Sequence, residues 1–513
     1  LTEPTVTTSV VGELPDGLIA AFDAYEAALA ADDVPALADA FALGAATLRG
    51  DASGLLVGHD AITAFRGRRG GAPARAIVEL HVRVLTDDRA LVVSVNAPRA
   101  GGRGLVTQLW SRASGSWQVE AAQVGAPAPA VNPSIWRVIG SPLVTPTGSG
   151  PLDGLTVAVK DLFALEHFAI GAGIPAYLAD ADVQTRTAPA LAALLAAGAA
   201  VRGIAQTDEF AYSIAGRNSG YGTPPNAAVP GAIPGGSSSG PASAVALGHA
   251  SIGLATDTAG SIRVPASYQG LWGIRTSHGA VSVEGLLPLA PSFDTVGWLT
   301  RDASTLASVA AASLPEDTAA PAPGFVVDEA LLAAAAPEVR AAFVATIEAL
   351  VSSGAITAPE AVDLGPLPEL FEAFRLVQAA EAWQSDGEWI TAHPGRLAPD
   401  VQSRFDVAAT IDDDTVERMR ARLAEYRAAL DEAIGGRILL LPSASSPAPS
   451  LTASAAEIDA ARTGTLRMTC VAGIGGYPAV SAPLMRVGRA PVGLCLVGPR
   501  GSDQALIALA ASL

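Results

Sequence analysis

From about Gly150 onward the chain alternates short apolar runs with alanine-rich stretches of helical length, and this alternation restricts its fold more than any other feature. A strand buried on both sides has no polar face to show, so the pattern predicts a sheet covered by helices on both faces. Leu155, Val157 and Val159 mark one strand, and residues 251–255 another. The run APALAALLAAGAA at 188–200 reads as helix and is too short to span a bilayer. Residues 338–352, 367–391 and 415–434 are long helical segments in succession, which predicts a helical flap over about 330–435. Residues 437–441 then return to the sheet. No fixed period recurs, so a solenoid is excluded. The expected fold class is α/β, with a mixed open sheet in an α/β/α core.

A stretch rich in Pro, Gly, Ser and Thr over 126–150 precedes this region and reads as a linker. It divides the chain into a domain at 1–125 and a larger one at 151–513. In the first, residues 18–41 predict two helices broken at Asp32-Asp33-Val34-Pro35, and a short helix follows Gly58-His59-Asp60. Four strands are expected at 76–85, 90–96, 104–112 and 117–124, with turns at Asp87-Asp88, 100–102 and Ser114-Gly115-Ser116. Helices followed by a curled antiparallel sheet make an α+β unit. His59 and His81 stand alone there, which favours structural roles, and assembly is the expected role of this domain.

Charge and cysteine content exclude several classes of function. A net charge of −18 makes nucleic acid or an anionic membrane a poor partner, since phosphate binding needs a concentrated basic patch. Arg66, Arg68, Arg69 and Arg75 are the densest basic group in the first hundred residues, and a solvated helix end explains them. Two cysteines, Cys470 and Cys495, lack metal-ligand spacing and sit in apolar contexts, as buried free thiols do in a reducing compartment. The first residues carry acids and prolines, not a basic start followed by an apolar stretch. A soluble cytoplasmic protein is expected.

Of the 32 basic residues only Lys160 is a lysine. A chain that uses arginine everywhere else has kept one ammonium where a guanidinium would fail. What arginine cannot do is lose its proton near neutral pH, so Lys160 points to a base at a strand end. Chance retention is the bland alternative. A second signal is PGGSSSGPASAVALGHASIGLATDTAGSIRVPASYQGLWGIRTSHG, residues 234–279. Its two small-residue turns, Gly235-Gly236-Ser237-Ser238-Ser239-Gly240 and Asp257-Thr258-Ala259-Gly260-Ser261, let several backbone N–H groups converge as an oxyanion hole requires. No phosphate-loop pattern occurs, Val157 rules out S-x-x-K, and the six histidines lie outside any G-x-S-x-G elbow. Serines and a lysine without a catalytic histidine remain.

GLTVAVKDLF, TDEFAYSIAGRNSGYGTPPNAAVPGAIPGGSSSG and DTAGSIRVPASYQGLWGIRTS resemble the amidase signature family, and the resemblance runs from about Leu152 through GGYPAVSAPL and APVGLCLVGPR. FAYSIAGRNSGYGTPPN and EAWQSDGEWI are similar to indole-3-acetamide amidohydrolases and their import-receptor relatives. FDAYEAALAADDVPALADAF and LVTQLWSRASGSWQVEAAQVG resemble the cone-shaped nuclear-transport-factor-2-like (NTF2-like) domain that accompanies amidases of cyanuric acid degradation.

The amidase resemblance implies a catalytic triad of Lys160, Ser237 and Ser261, with a cis Gly236–Ser237 peptide and Ser261 as nucleophile. It implies an oxyanion hole from the backbone N–H groups of Thr258, Ala259, Gly260 and Ser261. No cofactor or metal is implied. Ser239 and Ala259 stand where the family often has glycine, and a side chain at 259 narrows the oxyanion pocket. Ser238, Asp257 and Arg263 are expected in support, the last two as a buried ion pair. Phe210, Tyr212, Trp272 and Trp383 are candidates for the substrate pocket, with Phe371 and Phe374 from the flap behind them, although packing is the commoner use of such aromatics.

The expected activity is hydrolysis of the C–N bond of a small or aryl-type carboxamide through an acyl-enzyme. The expected assembly is a homodimer built through the N-terminal domain. Hydrolysis of a urea-like, carbamate, hydrazide or lactam bond is the alternative within the family. A non-catalytic receptor-like module and the A subunit of a tRNA amidotransferase are the others.

Overall fold

The computed structural model describes residues 6–51, 54–69, 75–98, 104–125 and 132–513, and the chain forms two compact units, 1–132 and 133–513. The expected turn at 100–102 lies outside the described residues. In the first unit the helices Leu18–Ala31 and Val34–Asp39 meet at Asp32, whose backbone is left-handed at φ 53°. The Asp33 side chain accepts the Ala36 N–H at 3.1 Å, and Pro35 sits in the first turn, where its missing donor costs nothing. A third helix spans His59–Arg69.

Four strands, Arg75–Thr86, Arg89–Pro98, Gly104–Ser111 and Gln118–Gly125, pair antiparallel in sequence order. Three shorter strands, Thr7–Val11, Leu48–Asp51 and Gly54–Val57, extend the same sheet. The sequence does not announce them, because every residue of Thr7–Val11 is exposed and no alternation marks it. Tyr25, Phe41 and Trp110 fill the space between helices and sheet, with Tyr25 edge-on to the other two at 6.2 and 6.1 Å. Arg66 is not solvated as expected but buried, and it donates to the Tyr25 hydroxyl at 3.0 Å. Arg75 pairs with Glu26 at 2.8 Å, while the side chains of Arg68 and Arg69 lie outside the described residues.

The second unit is built on an eleven-stranded mixed sheet among the described residues. One correction concerns the linker, because Trp136–Val144 within it is a strand pairing antiparallel with Ala200–Ala205 at the sheet edge. Gly140, Ser141 and Pro142 disguised it as loop, and an edge is where a strand tolerates proline. Third from that edge, Thr156–Lys160 runs parallel to Ala200–Ala205 on one side and to Ile252–Asp257 on the other. Val159 is level with Leu254, so Lys160 and Asp257 finish at the same edge of the sheet.

Four helices, Pro337–Ser352, Leu367–Ala392, Pro399–Ala408 and Asp413–Ile434, form the flap region. The helix Ala455–Gly475 begins at a capping box between Ser454 and Glu457 and ends against the site described below. No helix among the described residues is long and apolar enough to cross a membrane.

Candidate active site

Lys160 is the last residue of its strand and is fully buried. Its Nζ lies 2.8 Å from Ser237 Oγ and 2.7 Å from Thr256 Oγ1. Burial pulls its pKa down to about 7, although Asp208, Asp257 and Asp294 act in the opposite direction. Much of the population therefore carries a free lone pair at neutral pH. In that state the amine donates to Thr256 and accepts from the Ser237 hydroxyl across the same 2.8 Å contact.

Ser237 follows Gly235, at φ +75°, and is joined to Gly236 by a cis peptide bond. Its carbonyl accepts from Thr207 Oγ1 at 2.9 Å and from the Asp208 N–H at 3.2 Å. Asp208 in turn accepts from the Gly216 N–H at 2.9 Å and from Ser239 Oγ at 3.1 Å. Ser239, where glycine is usual, thus serves as a brace. A Cβ on Gly236 would collide with the Asp208 carboxylate, so only glycine permits this approach. Burial raises the Asp208 carboxyl to about 6 against those hydrogen bonds.

The second turn is organised by Asp257. Burial alone would raise its pKa, but Arg263 and Arg275 hold it well below the usual carboxylate range. Arg263 grips it with Nη2 at 2.9 Å and Nε at 3.1 Å, and Arg275 Nη1 lies at 3.3 Å. The same carboxylate accepts the N–H groups of Gly260 at 2.9 Å and Ile262 at 3.1 Å. Gly260 is therefore committed to Asp257 and is not free for an oxyanion, which corrects the expected set of four donors. The N–H groups of Thr258, Ala259 and Ser261 have no hydrogen-bond partner among the described residues.

The turn is held from outside as well. Thr258 Oγ1 donates to Asp294 at 2.6 Å, Thr469 Oγ1 donates to the Ala259 carbonyl at 2.5 Å, and Arg263 Nη1 donates to the Thr469 carbonyl at 3.0 Å. Ser238 ties the two turns together, its N–H reaching the Ser261 carbonyl at 3.3 Å and its Oγ the Thr256 carbonyl at 3.2 Å.

Ser261, Thr258 and Ala259 form one wall of a small pocket completed by Tyr212, Gln378 and Arg462. The other aromatic candidates lie elsewhere. Trp272 pairs with Thr300, which pairs with Ile252, so it stands at the far end of the sheet, about 17 Å along the strand from Asp257. Phe210 is buried in an aromatic cluster with Tyr177, Trp389 and Phe405 at 5.2, 5.6 and 6.0 Å. Trp383 packs over Gly387 of its own helix, Phe374 lies against Phe293 at 4.6 Å, and Phe371 rests on the core. These are packing residues. Sequence reasoning missed Thr256, which contacts Lys160 from inside the quoted stretch at 234–279, and Gln378 and Arg462, which line the pocket from segments without a motif.

Comparison with known proteins agrees with this architecture. Residues 146–507 match the family model described as Amidase, and residues 9–128 match one described as AtzH-like. The chain is 34% identical to "Amidase 1" of Arabidopsis thaliana over 74% of this chain and 97% of that protein. It is 33% identical to the "2-amino-5-chloromuconic acid deaminase" of Comamonas testosteroni, over 70% of this chain and 81% of that protein. A solved structure described as a vestigial complex revealing the origins of an s-triazine catabolic enzyme superposes with a TM-score of 0.64 at 26% identity, over 71% of this chain and 84% of that one. With its larger unit matched almost from end to end, the chain belongs to the amidase family and carries an AtzH-like domain at its N-terminal side.

Proposed function

We propose that this C–N amide hydrolase cleaves a small carboxamide through Ser261 as nucleophile, with Ser237 and Lys160 as its proton relay. The observation that carries the reading is a fully buried lysine with its pKa near 7, hydrogen-bonded to a serine between two fixed turns. Neutral Lys160 takes the Ser237 proton while Ser237 takes that of Ser261, and Ser261 Oγ bonds to the amide carbon. The carbonyl oxygen gains the negative charge and meets the free N–H groups of the second turn, an arrangement that in other hydrolases is worth about 3–4 kcal/mol per donor. When the C–N bond breaks, the proton returns through Ser237 to the departing nitrogen. Water then resolves the ester on Ser261 by the same relay in reverse order, giving the acid. Arg263, Arg275 and Asp257 do no proton transfer; they fix the turn.

The AtzH-like unit serves assembly, as a homodimer contact. The two buried free thiols, Cys470 and Cys495, suit a reducing cytoplasm. A panel of primary amides assayed for ammonia release, with mass spectrometry for an acyl adduct on Ser261, tests the mechanism. Turnover without any adduct in wild type, or with an adduct on another residue, refutes it.

A further inference from the structure

The pocket beside Ser261 contains an arginine that the mechanism above leaves without a task. Arg462 lies on the helix Ala455–Gly475, whose later turns supply Leu466 to the same pocket and Thr469 to the Ala259 carbonyl. Part of its side chain is accessible, yet its Nε is fully buried and has no hydrogen-bond partner. Arg462 forms no ion pair with any described residue. Asp459 and Asp400 are near enough to act on its charge, but Asp459 is exposed and Asp400 is bonded to Arg404 at 2.9 Å.

Its neighbours are otherwise engaged. Arg404 also donates to the Tyr212 carbonyl at 2.9 Å, and Arg375 makes a two-point contact with Glu372 at 2.7 and 2.9 Å. Three guanidinium groups thus act on the Tyr212 phenol, and only one of them has no carboxylate of its own. A half-buried guanidinium that lines a pocket beside a nucleophile and has no carboxylate of its own is open to a ligand, and charged groups of this kind cluster at functional sites. The planar fork of a guanidinium matches a carboxylate in two-point geometry. The side chain of Gln378, which lines the same pocket, also makes no hydrogen bond among the described residues and offers a second donor.

We infer that Arg462 binds a carboxylate on the substrate, so that the amides this enzyme prefers are anionic ones, monoamides of short dicarboxylic acids. This rests on the amidase reading and narrows it. The pocket is tight, with about 10 Å³ of free volume, so a ligand enters only as the lining side chains give way, and a short chain asks least of them. An anionic acyl group also sorts substrates, because a neutral amide leaves the guanidinium unpaired and loses the binding that an acid gains.

The test compares kcat/KM for succinamate, glutaramate and adipamate with the uncharged butyramide, pentanamide and hexanamide, for wild type, Arg462→Gln and Arg462→Lys. We expect wild type to favour the best anionic amide over its neutral counterpart by at least about 100-fold. Arg462→Gln should collapse that ratio, mostly through KM, and Arg462→Lys should restore part of it; thermal melting checks that both variants fold. A wild type that turns over neutral amides as well as anionic ones overturns the inference and leaves the amidase reading intact, as does a ratio that Arg462→Gln does not change. Failure to turn over either set overturns both.

Discussion

Replacing Lys160 by arginine separates the presence of a positive charge from the ability to lose a proton. With its pKa drawn down to about 7, about half of the Lys160 amines are neutral at pH 7, about 1% at pH 5 and nearly all at pH 9. In wild type, kcat/KM should therefore rise about 50-fold between pH 5 and pH 7 and then level off. Arginine, with a pKa above roughly 12, offers less than about one neutral side chain in 10⁵ at pH 7, so Lys160→Arg should lose at least ~10⁴-fold in kcat/KM.

Lys160→Met controls for the larger guanidinium, since it keeps the length and has no base, and it carries a second readout. The unfolded chain holds the Lys160 proton up to about pH 10.5 while the folded one releases it at about 7, so burial of the amine destabilises the fold in full below pH 7. That penalty fades as pH rises from 7 to 10.5. The displacement is worth roughly 5 kcal/mol at most, at 1.36 kcal/mol per tenfold. Lys160→Met should thus melt higher than wild type at pH 6 and lose the advantage near pH 10. Retention of more than about 1% of activity by Lys160→Arg, or a flat profile between pH 5 and 7, would refute the reasoning.

Four further variants probe the rest of the site. Ser261→Ala should fold normally and lose at least ~10⁴-fold in kcat, and Ser237→Ala at least ~10³-fold, both followed by ammonia release; activity within tenfold of wild type in either removes that serine from the relay. Asp257→Asn leaves two buried guanidinium groups without their charge partner, and urea unfolding should show a loss of about 3–5 kcal/mol; a loss under 1 kcal/mol would mean that the ion pair is not what holds the turn. Thr469→Val keeps the shape but removes the donor to the Ala259 carbonyl, so kcat should fall about tenfold with KM little changed, and an unaltered kcat would show that the turn does not need this tie.

Much of the fold can be read from the chain because its periodicities are clean. Trp117 and Val119 inward with Gln118 outward, or the unbroken apolar run Val157–Val159, leave little choice of element. What escaped notice was structure defined by pairing and not by pattern. Trp136–Val144 is a strand because Ala200–Ala205 offers it an edge, and nothing in Gly140-Ser141-Pro142 says so. The site divides in the same way. Lys160 could be found because a lone lysine is chemically conspicuous, whereas Ser237, one of three consecutive serines, was singled out only by the resemblance to the amidase signature family, and Asp257 by its place beside the second turn. Thr256 and Arg462 could not, since one threonine or arginine among many carries no signal until the sheet register and one helix face bring it to the pocket. Trp272 misled because proximity in sequence to the nucleophile turn is undone by the strand that carries it to the opposite end.

On the proposed mechanism, the arrangement of charge explains why Asp257 and Asp208 brace the site and neither serves as a base. Asp257 is doubly paired, so it stays ionised at any pH of interest, and a group so firmly charged can position N–H groups but cannot exchange protons during turnover. Asp208 is raised to about 6 and accepts only neutral donors, and it fixes the loop that carries Ser237 instead of meeting the hydroxyl itself. Lys160 combines a pKa near 7 with direct contact to the Ser237 hydroxyl, which Asp208 does not reach. The commitment of the Gly260 N–H to Asp257 follows from the same division. On the proposed mechanism one donor is withdrawn from the oxyanion to anchor the turn, and Thr258, Ala259 and Ser261 sit in a turn fixed by a carboxylate that cannot relax by taking up a proton. Rigidity of that turn and neutrality of the relay are then two consequences of one design, in which burial suppresses charge wherever an ion partner is missing and two guanidinium groups preserve it where they are present.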